Sequence, residues 1–248
     1  MSFWAFLVAA GNYNEFDQLI FFEDSVKKLG QILEKKGNYK VTILSTEATE
    51  EKDKPGLLAI KHRYRTFLSE IKSQLNPHDT ILIYFMGHGG SSDRTEKDYF
   101  LPYNAMKGLD KEDSAVPLDW LETQMKMILG SKEIIQYNIF FFIDACRLKD
   151  TTLGWSGLKF IQTSLAQISE PPRRGERQPP AGISWIYSCQ EGHLGHVVEL
   201  NGHDQAIFTY HFIKFLKEAR KHVSFRNLFY HCLIEKVPET ASTNYLSQ

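Results

Sequence analysis

Two short polar tips in this sequence carry residue types that can do chemistry together. The run Thr80-Ile-Leu-Ile-Tyr-Phe-Met86 ends in Gly87-His88-Gly89-Gly90. The run Asn138-Ile-Phe-Phe-Phe-Ile143 ends in Asp144-Ala145-Cys146-Arg147. A thiol with an ordinary pKa of about 8.5 is only partly ionised at neutral pH. A nearby imidazole can take its proton, then return it to a leaving amine. His88 and Cys146 are therefore the candidate catalytic pair, for nucleophilic attack on a carbonyl. The glycines around His88 admit a close approach of substrate to the backbone. The main-chain N–H groups of Gly89 and Cys146 are candidate donors to the oxyanion that such an attack creates. Taken alone, each tip has a plain alternative: Cys146 as a small core residue, and Gly-His-Gly as a turn.

The elements that must position the pair are legible around it. Phe3–Ala10, Lys40–Leu44, Ile81–Met86, Ile139–Ile143 and Ile183–Tyr187 are apolar at nearly every position, as strands covered on both faces are. Between them, Val26, Leu29, Ile32 and Leu33 form a helical stripe after Asp24 and Ser25, either of which can cap that helix. The stretches Leu57–Leu75, Leu118–Ile128, Gln205–Leu216 and Phe225–Ile234 also read as helices. The alternation predicts an α/β fold, a mainly parallel sheet with helices on both faces. Ligands bind such sheets beyond the carboxyl ends of the strands. Both polar tips fall at that rim.

Ser169 to Gly182 interrupts the pattern with SEPPRRGERQPPAG. A stretch this rich in proline and charge reads as an exposed linker. It divides one domain into residues 1–168, the linker 169–182, and residues 183–248.

Composition narrows the partners. The 248 residues are 42% hydrophobic and 24% charged, with a net charge of −1, ordinary for a globular domain. Without a basic face, nucleic acid is not an expected partner. Three cysteines, Cys146, Cys189 and Cys232, are too few and odd in number for a disulfide framework, which favours a reducing, cytoplasmic setting. No apolar run reaches membrane-span length, and Ser2–Ala10 reads as a strand, not a leader peptide. Neither the nine histidines, among them His193, His196 and His203, nor any acidic loop makes a metal site by spacing. No cofactor is expected.

Taken together, the motifs resemble the caspase and metacaspase superfamily, from about Phe3 to about Val237. His88-Gly89 resembles its His-Gly dipeptide, and Ala145-Cys146-Arg147 its nucleophile motif. Asp144 matches the metacaspase residue two before the cysteine. Weaker matches are Asp98-Tyr99-Phe100-Leu101-Pro102, Gly11-Asn12-Tyr13 with Glu23-Asp24, Ile186–Gly192, and Phe208-Thr209-Tyr210. Departures occur at Leu148, Met86 and Phe21. The resemblance implies a caspase-like three-layer sandwich. It implies a cysteine endopeptidase acting on protein or peptide substrates, in a cell-death or immune-defence setting. A separate activating protein or small-molecule signal is expected to trigger it, and a monomer is favoured over a dimer.

On this resemblance Asp24 and Asp144 would make an acidic primary pocket, with Ser188 and Glu191 also contacting substrate. Glu191 can equally be a solvated loop charge. A carboxylate facing a guanidinium makes a directed contact. Facing a substrate Asp it would cost roughly 3–5 kcal/mol as a buried unpaired charge. Cleavage after Arg, then Lys, is expected. Arg174 and Arg177 in the linker are then candidate self-processing sites. The alternatives are an interaction module of the same fold without proteolysis, and a flavodoxin-like cofactor binder. The latter lacks a glycine-rich loop after the first strand.

Overall fold

A computed structural model describes residues 1–92, 95, 97–107, 111–145, 182–189, 197–200 and 203–219. The expected final helix at Phe225–Ile234 and the linker 169–182 up to Ala181 lie outside them.

Five parallel strands form the centre: β1 (Phe3–Ala9), β2 (Tyr39–Ser45), β3 (Thr80–Met86), β7 (Asn138–Asp144) and β8 (Gly182–Tyr187). Their order across the sheet is β2-β1-β3-β7-β8. The central strands are the expected apolar runs. Trp4 to Ala9 and Ile81 to Met86 are buried without alternation, because helices cover both faces of the sheet.

The two faces follow from register. Phe6 pairs with Ile83 and meets Tyr64 and Phe67 of α2 (Leu57–Lys72). Tyr84, the next residue along β3, must point the other way. It meets Phe208 and Phe212 of α5 (Ile207–Glu218). On the first face α2 packs against α4 (Leu118–Leu129). On the second, α1 (Phe21–Gly37) packs against α5. The result is helix, sheet, helix in three layers.

Two expectations are revised. Helix α1 begins at Phe21 with Ile20 at its N-cap, so Asp24 and Ser25 lie inside the helix and neither caps it. Ser25 instead returns its hydroxyl to the Phe21 carbonyl. The Gly89–Ser91 segment is more than a polar tip. It is strand β4, paired antiparallel with β5 (Asp98–Phe100), which pairs with β6 (Val116–Pro117). A four-residue helix α3 (Lys111–Ser114) precedes β6, and a hairpin of β9 (Val197–Leu200) and β10 (His203–Ala206) precedes α5.

Candidate active site

The site is set by one register. Met86 at the end of β3 pairs with Asp144 at the end of β7. One residue later, Gly87 N–H donates to the Asp144 carbonyl (3.2 Å). His88 is two residues beyond Met86. Cys146 is two residues beyond Asp144 in sequence and lies outside the described residues, as do Glu191, Arg174 and Arg177.

Gly87 has φ +155°, and a Cβ there would come within 2.5 Å of the Tyr13 hydroxyl. Glycine lets the chain turn off β3 beneath that hydroxyl. His88 follows, 7% exposed. Its ring lies against Tyr13 (centroids 4.7 Å apart) and Phe16 (6.0 Å). Its Nε2 sits 2.9 Å from the Asp17 carbonyl oxygen. A carbonyl only accepts, so Nε2 must carry the proton. In the neutral ring Nδ1 is then the basic nitrogen. Burial pushes the imidazole below its ordinary 6.5, against an upward pull from the Asp17 carbonyl and carboxylate.

Leu101 N–H donates to the His88 carbonyl (2.9 Å). In an antiparallel ladder hydrogen-bonded pairs alternate with non-bonded ones. The Leu101 N–H on His88 O gives that pair the bonded phase, with its other rung closed through the Tyr13 hydroxyl, and Gly89 pairs with Phe100. The alternation therefore turns the Gly89 N–H away from β5.

The second half of the rim is a buried polar cluster. Asp144 is 3% exposed. Its Oδ2 accepts the Thr209 N–H (3.2 Å) and the Thr209 hydroxyl (2.5 Å). Since Thr209 Oγ1 donates there, the Tyr84 hydroxyl, 2.9 Å away, donates to it. Burial raises the Asp144 pKa above 3.8, opposed by Thr209 and by Ser188. Among the described residues the buried Ser188 hydroxyl meets no partner within ordinary hydrogen-bond geometry, yet it lies close enough to Asp144 to favour the ionised carboxylate. Ser188 N–H continues the sheet by donating to Ile143 O (2.9 Å). Cys189, also buried, directs its thiol to Ala145 O (3.3 Å).

The structure brings Asp144 and Ser188 together but not Asp24. Asp24 is exposed on α1, near the Lys27–Glu47 ion pair. Among the described residues no contact joins it to Asp144. The buried carboxylate of that pair of residues is Glu23, 1% exposed. It accepts Gly11 N–H (2.8 Å) and the hydroxyls of Ser45 and Thr46. These bonds tie the loop after β1 to the end of β2. Leu19 N–H closes the same loop onto Gly11 O (2.7 Å).

Sequence reasoning missed Asp17, Tyr13, Phe16, Glu23 and Thr209 as parts of the site. Asp17 acts through a backbone carbonyl, which has no side-chain signature. Tyr13 and Thr209 stood within noted motifs, but only the register shows what they touch. An open groove of about 460 Å³ between the start of α2 and Tyr103, Asn104 and Met106 contains none of the site residues. Among the described residues no three His, Cys, Asp or Glu side chains converge as metal ligands, and no helix is long and apolar enough to cross a membrane.

A parallel sheet between helix layers, with a buried histidine and a buried aspartate on neighbouring strand ends, is the frame of a caspase-type peptidase. The family model for the caspase domain matches residues 2–243, and the chain belongs to that family. Caspase-1 from Spodoptera frugiperda has a similar structure, with a TM-score of 0.53 at 12% identity, over 92% of this chain and 75% of that one. At that identity the likeness concerns the fold. No curated protein matches the chain.

Proposed function

We propose that the protein is a cysteine endopeptidase in which Cys146 is the nucleophile, His88 the general base and acid, and Gly89 and Cys146 N–H the oxyanion donors. The observation that carries this is the Met86–Asp144 register. Cys146 follows Asp144 by two residues in sequence, a stretch that spans at most about 7 Å of chain, which supports pairing it with the histidine that follows the neighbouring strand. The chemistry runs in two halves. His88 Nδ1 accepts the Cys146 proton as sulfur attacks the scissile carbonyl, then gives it to the departing amine. Water, deprotonated by the same nitrogen, hydrolyses the thioester.

Cleavage after Arg, then Lys, is part of the proposal. Asp144 beside Ser188 supports it, since a buried carboxylate suits a cationic group. Asp24, exposed on α1, is proposed as a further substrate contact outside that buried cluster. Self-processing after Arg174 or Arg177 and latency before activation complete the reading. The retained pair of His88 and Cys146 favours it over a module of the same fold without proteolysis.

The test is turnover of fluorogenic peptides ending in Arg, Lys or Asp by the wild type, Cys146→Ala and His88→Ala. Arg peptides should be cut fastest, and both variants should lose activity by at least about a thousandfold. Activity retained by Cys146→Ala would overturn the assignment, and preference for Asp would overturn the pocket.

A further inference from the structure

The antiparallel pairing of His88 with Leu101 is broken on one side by a tyrosine. Leu101 N–H donates directly to His88 O (2.9 Å). The reciprocal bond, His88 N–H to Leu101 O, is replaced by a bridge. His88 N–H donates to Tyr13 Oη (2.7 Å), and Tyr13 O–H donates to Leu101 O (3.1 Å). A side chain from the β1–α1 loop thus occupies a rung of the β-ladder at the histidine itself. The ring of the same tyrosine covers the imidazole at 4.7 Å.

We infer that Tyr13 is a positioning residue for the His88 imidazole, through a hydroxyl inserted into the His88–Leu101 backbone pairing and a ring laid on the imidazole. The inference rests on the assignment of His88 as the catalytic base.

Three features make the inserted hydroxyl more than a loop contact. Gly87 leaves space for it, since any Cβ there would collide with it at 2.5 Å. The loop that brings Tyr13 also brings Phe16 onto the ring and the Asp17 carbonyl to Nε2. That loop is closed at its base by Leu19 N–H on Gly11 O and by Glu23 on Gly11 N–H. Backbone, ring face and ring nitrogen of His88 are thereby fixed by one segment, residues 11–19. An imidazole held at three points keeps Nδ1 aimed along one line. A displacement of 1 Å from that line costs about a hundredfold in rate. Among the described residues, the titratable groups against the imidazole are Tyr13 and Asp17.

The experiment is Tyr13→Phe, which keeps the ring and deletes the hydroxyl. In turnover of the preferred peptide, kcat should fall about tenfold or more while KM stays within about twofold. The independent readout is the His88 Cε1–H resonance titrated by NMR in Cys146→Ala protein, with and without Tyr13→Phe. Loosening the loop admits water, so the midpoint should move up toward 6.5 and the resonance should broaden. A purely structural tyrosine would lower the melting temperature and leave that titration in place. An unchanged midpoint and line width overturns the inference, as does an unchanged kcat. Should Tyr13→Phe not fold, Phe16→Leu is read the same way, since it removes a ring from the imidazole without breaking a hydrogen bond. Should the wild type cut no peptide, the peptidase reading fails while the titration still judges Tyr13.

Discussion

Asp144 accepts both the main-chain N–H and the hydroxyl of Thr209, at 3.2 and 2.5 Å. Thr209 is the third residue of α5, where the backbone N–H has no partner within the helix. One carboxylate thus ends β7, caps α5, and joins segments on either side of the proline-rich stretch. A negative charge at a helix start is favoured by the helix dipole, yet burial outweighs this and raises the Asp144 pKa.

Asp144→Asn should therefore separate stability from specificity. A group whose folded pKa is raised gives stability that is complete below its unfolded value, 3.8, and is lost as pH rises through the folded value. The ionised carboxylate costs stability at neutral pH. The amide introduced by this substitution keeps a carbonyl oxygen that accepts both Thr209 donors. The variant should melt at the same temperature as wild type or higher at pH 7.5, with the gap narrowing toward pH 4. Preference for Arg over an uncharged residue should fall by about a hundredfold. Thermal melts over pH and cleavage profiles check both; intact Arg preference would remove Asp144 from the pocket.

The pH dependence of kcat/KM should have an acidic limb below 6.5. Burial lowers the His88 pKa, so the neutral base persists to lower pH than for an exposed histidine. The same shift makes His88 a source of acid instability. Stability is full above 6.5 and declines as pH falls toward the folded value, because the unfolded chain takes up the proton first. An acidic limb at or above 6.5 would contradict the burial.

Glu23→Gln tests the base of the loop. Glu23 receives three donors, and an amide can no longer accept at both ends. The loss should be about 1–3 kcal/mol in chemical denaturation, a drop of roughly 2–12 °C for a chain this long. In Cys146→Ala protein the His88 resonance should broaden as well. A full-stability variant would show that the loop is held elsewhere.

Self-processing predicts a wild type that appears as two fragments with termini at Arg174 or Arg177, beside an intact Cys146→Ala protein. Mass spectrometry of both after incubation with substrate-like activating conditions reads this. Identical intact masses would reject it.

The inner strands β1, β3 and β7 could be read from continuous apolar runs such as Ile81–Met86, because burial on both faces leaves no ambiguity of side, while the edge strands β2 and β8 are only partly covered. The dyad candidates were legible because each follows such a run. Local geometry was less so. The start of α1 was misplaced because Asp24 and Ser25 have capping chemistry, whereas the helix begins uncapped at Phe21. Strand β4 was hidden in Gly89-Gly90-Ser91, whose types favour turns; its pairing with Tyr99 and Phe100 is a tertiary choice. The neighbours Asp24 and Glu23 have the same charge in sequence, and only the helix phase decides that Glu23 is the buried one.

The most direct measurement is a crystal structure of the protein after reaction with a peptidyl-arginyl chloromethyl ketone. The account predicts a thioether on Cys146, His88 Nδ1 within hydrogen-bond reach of that sulfur, and the arginine side chain directed to Asp144. An unmodified Cys146, or an imidazole turned away from it on the far side of the sheet rim, would contradict the account.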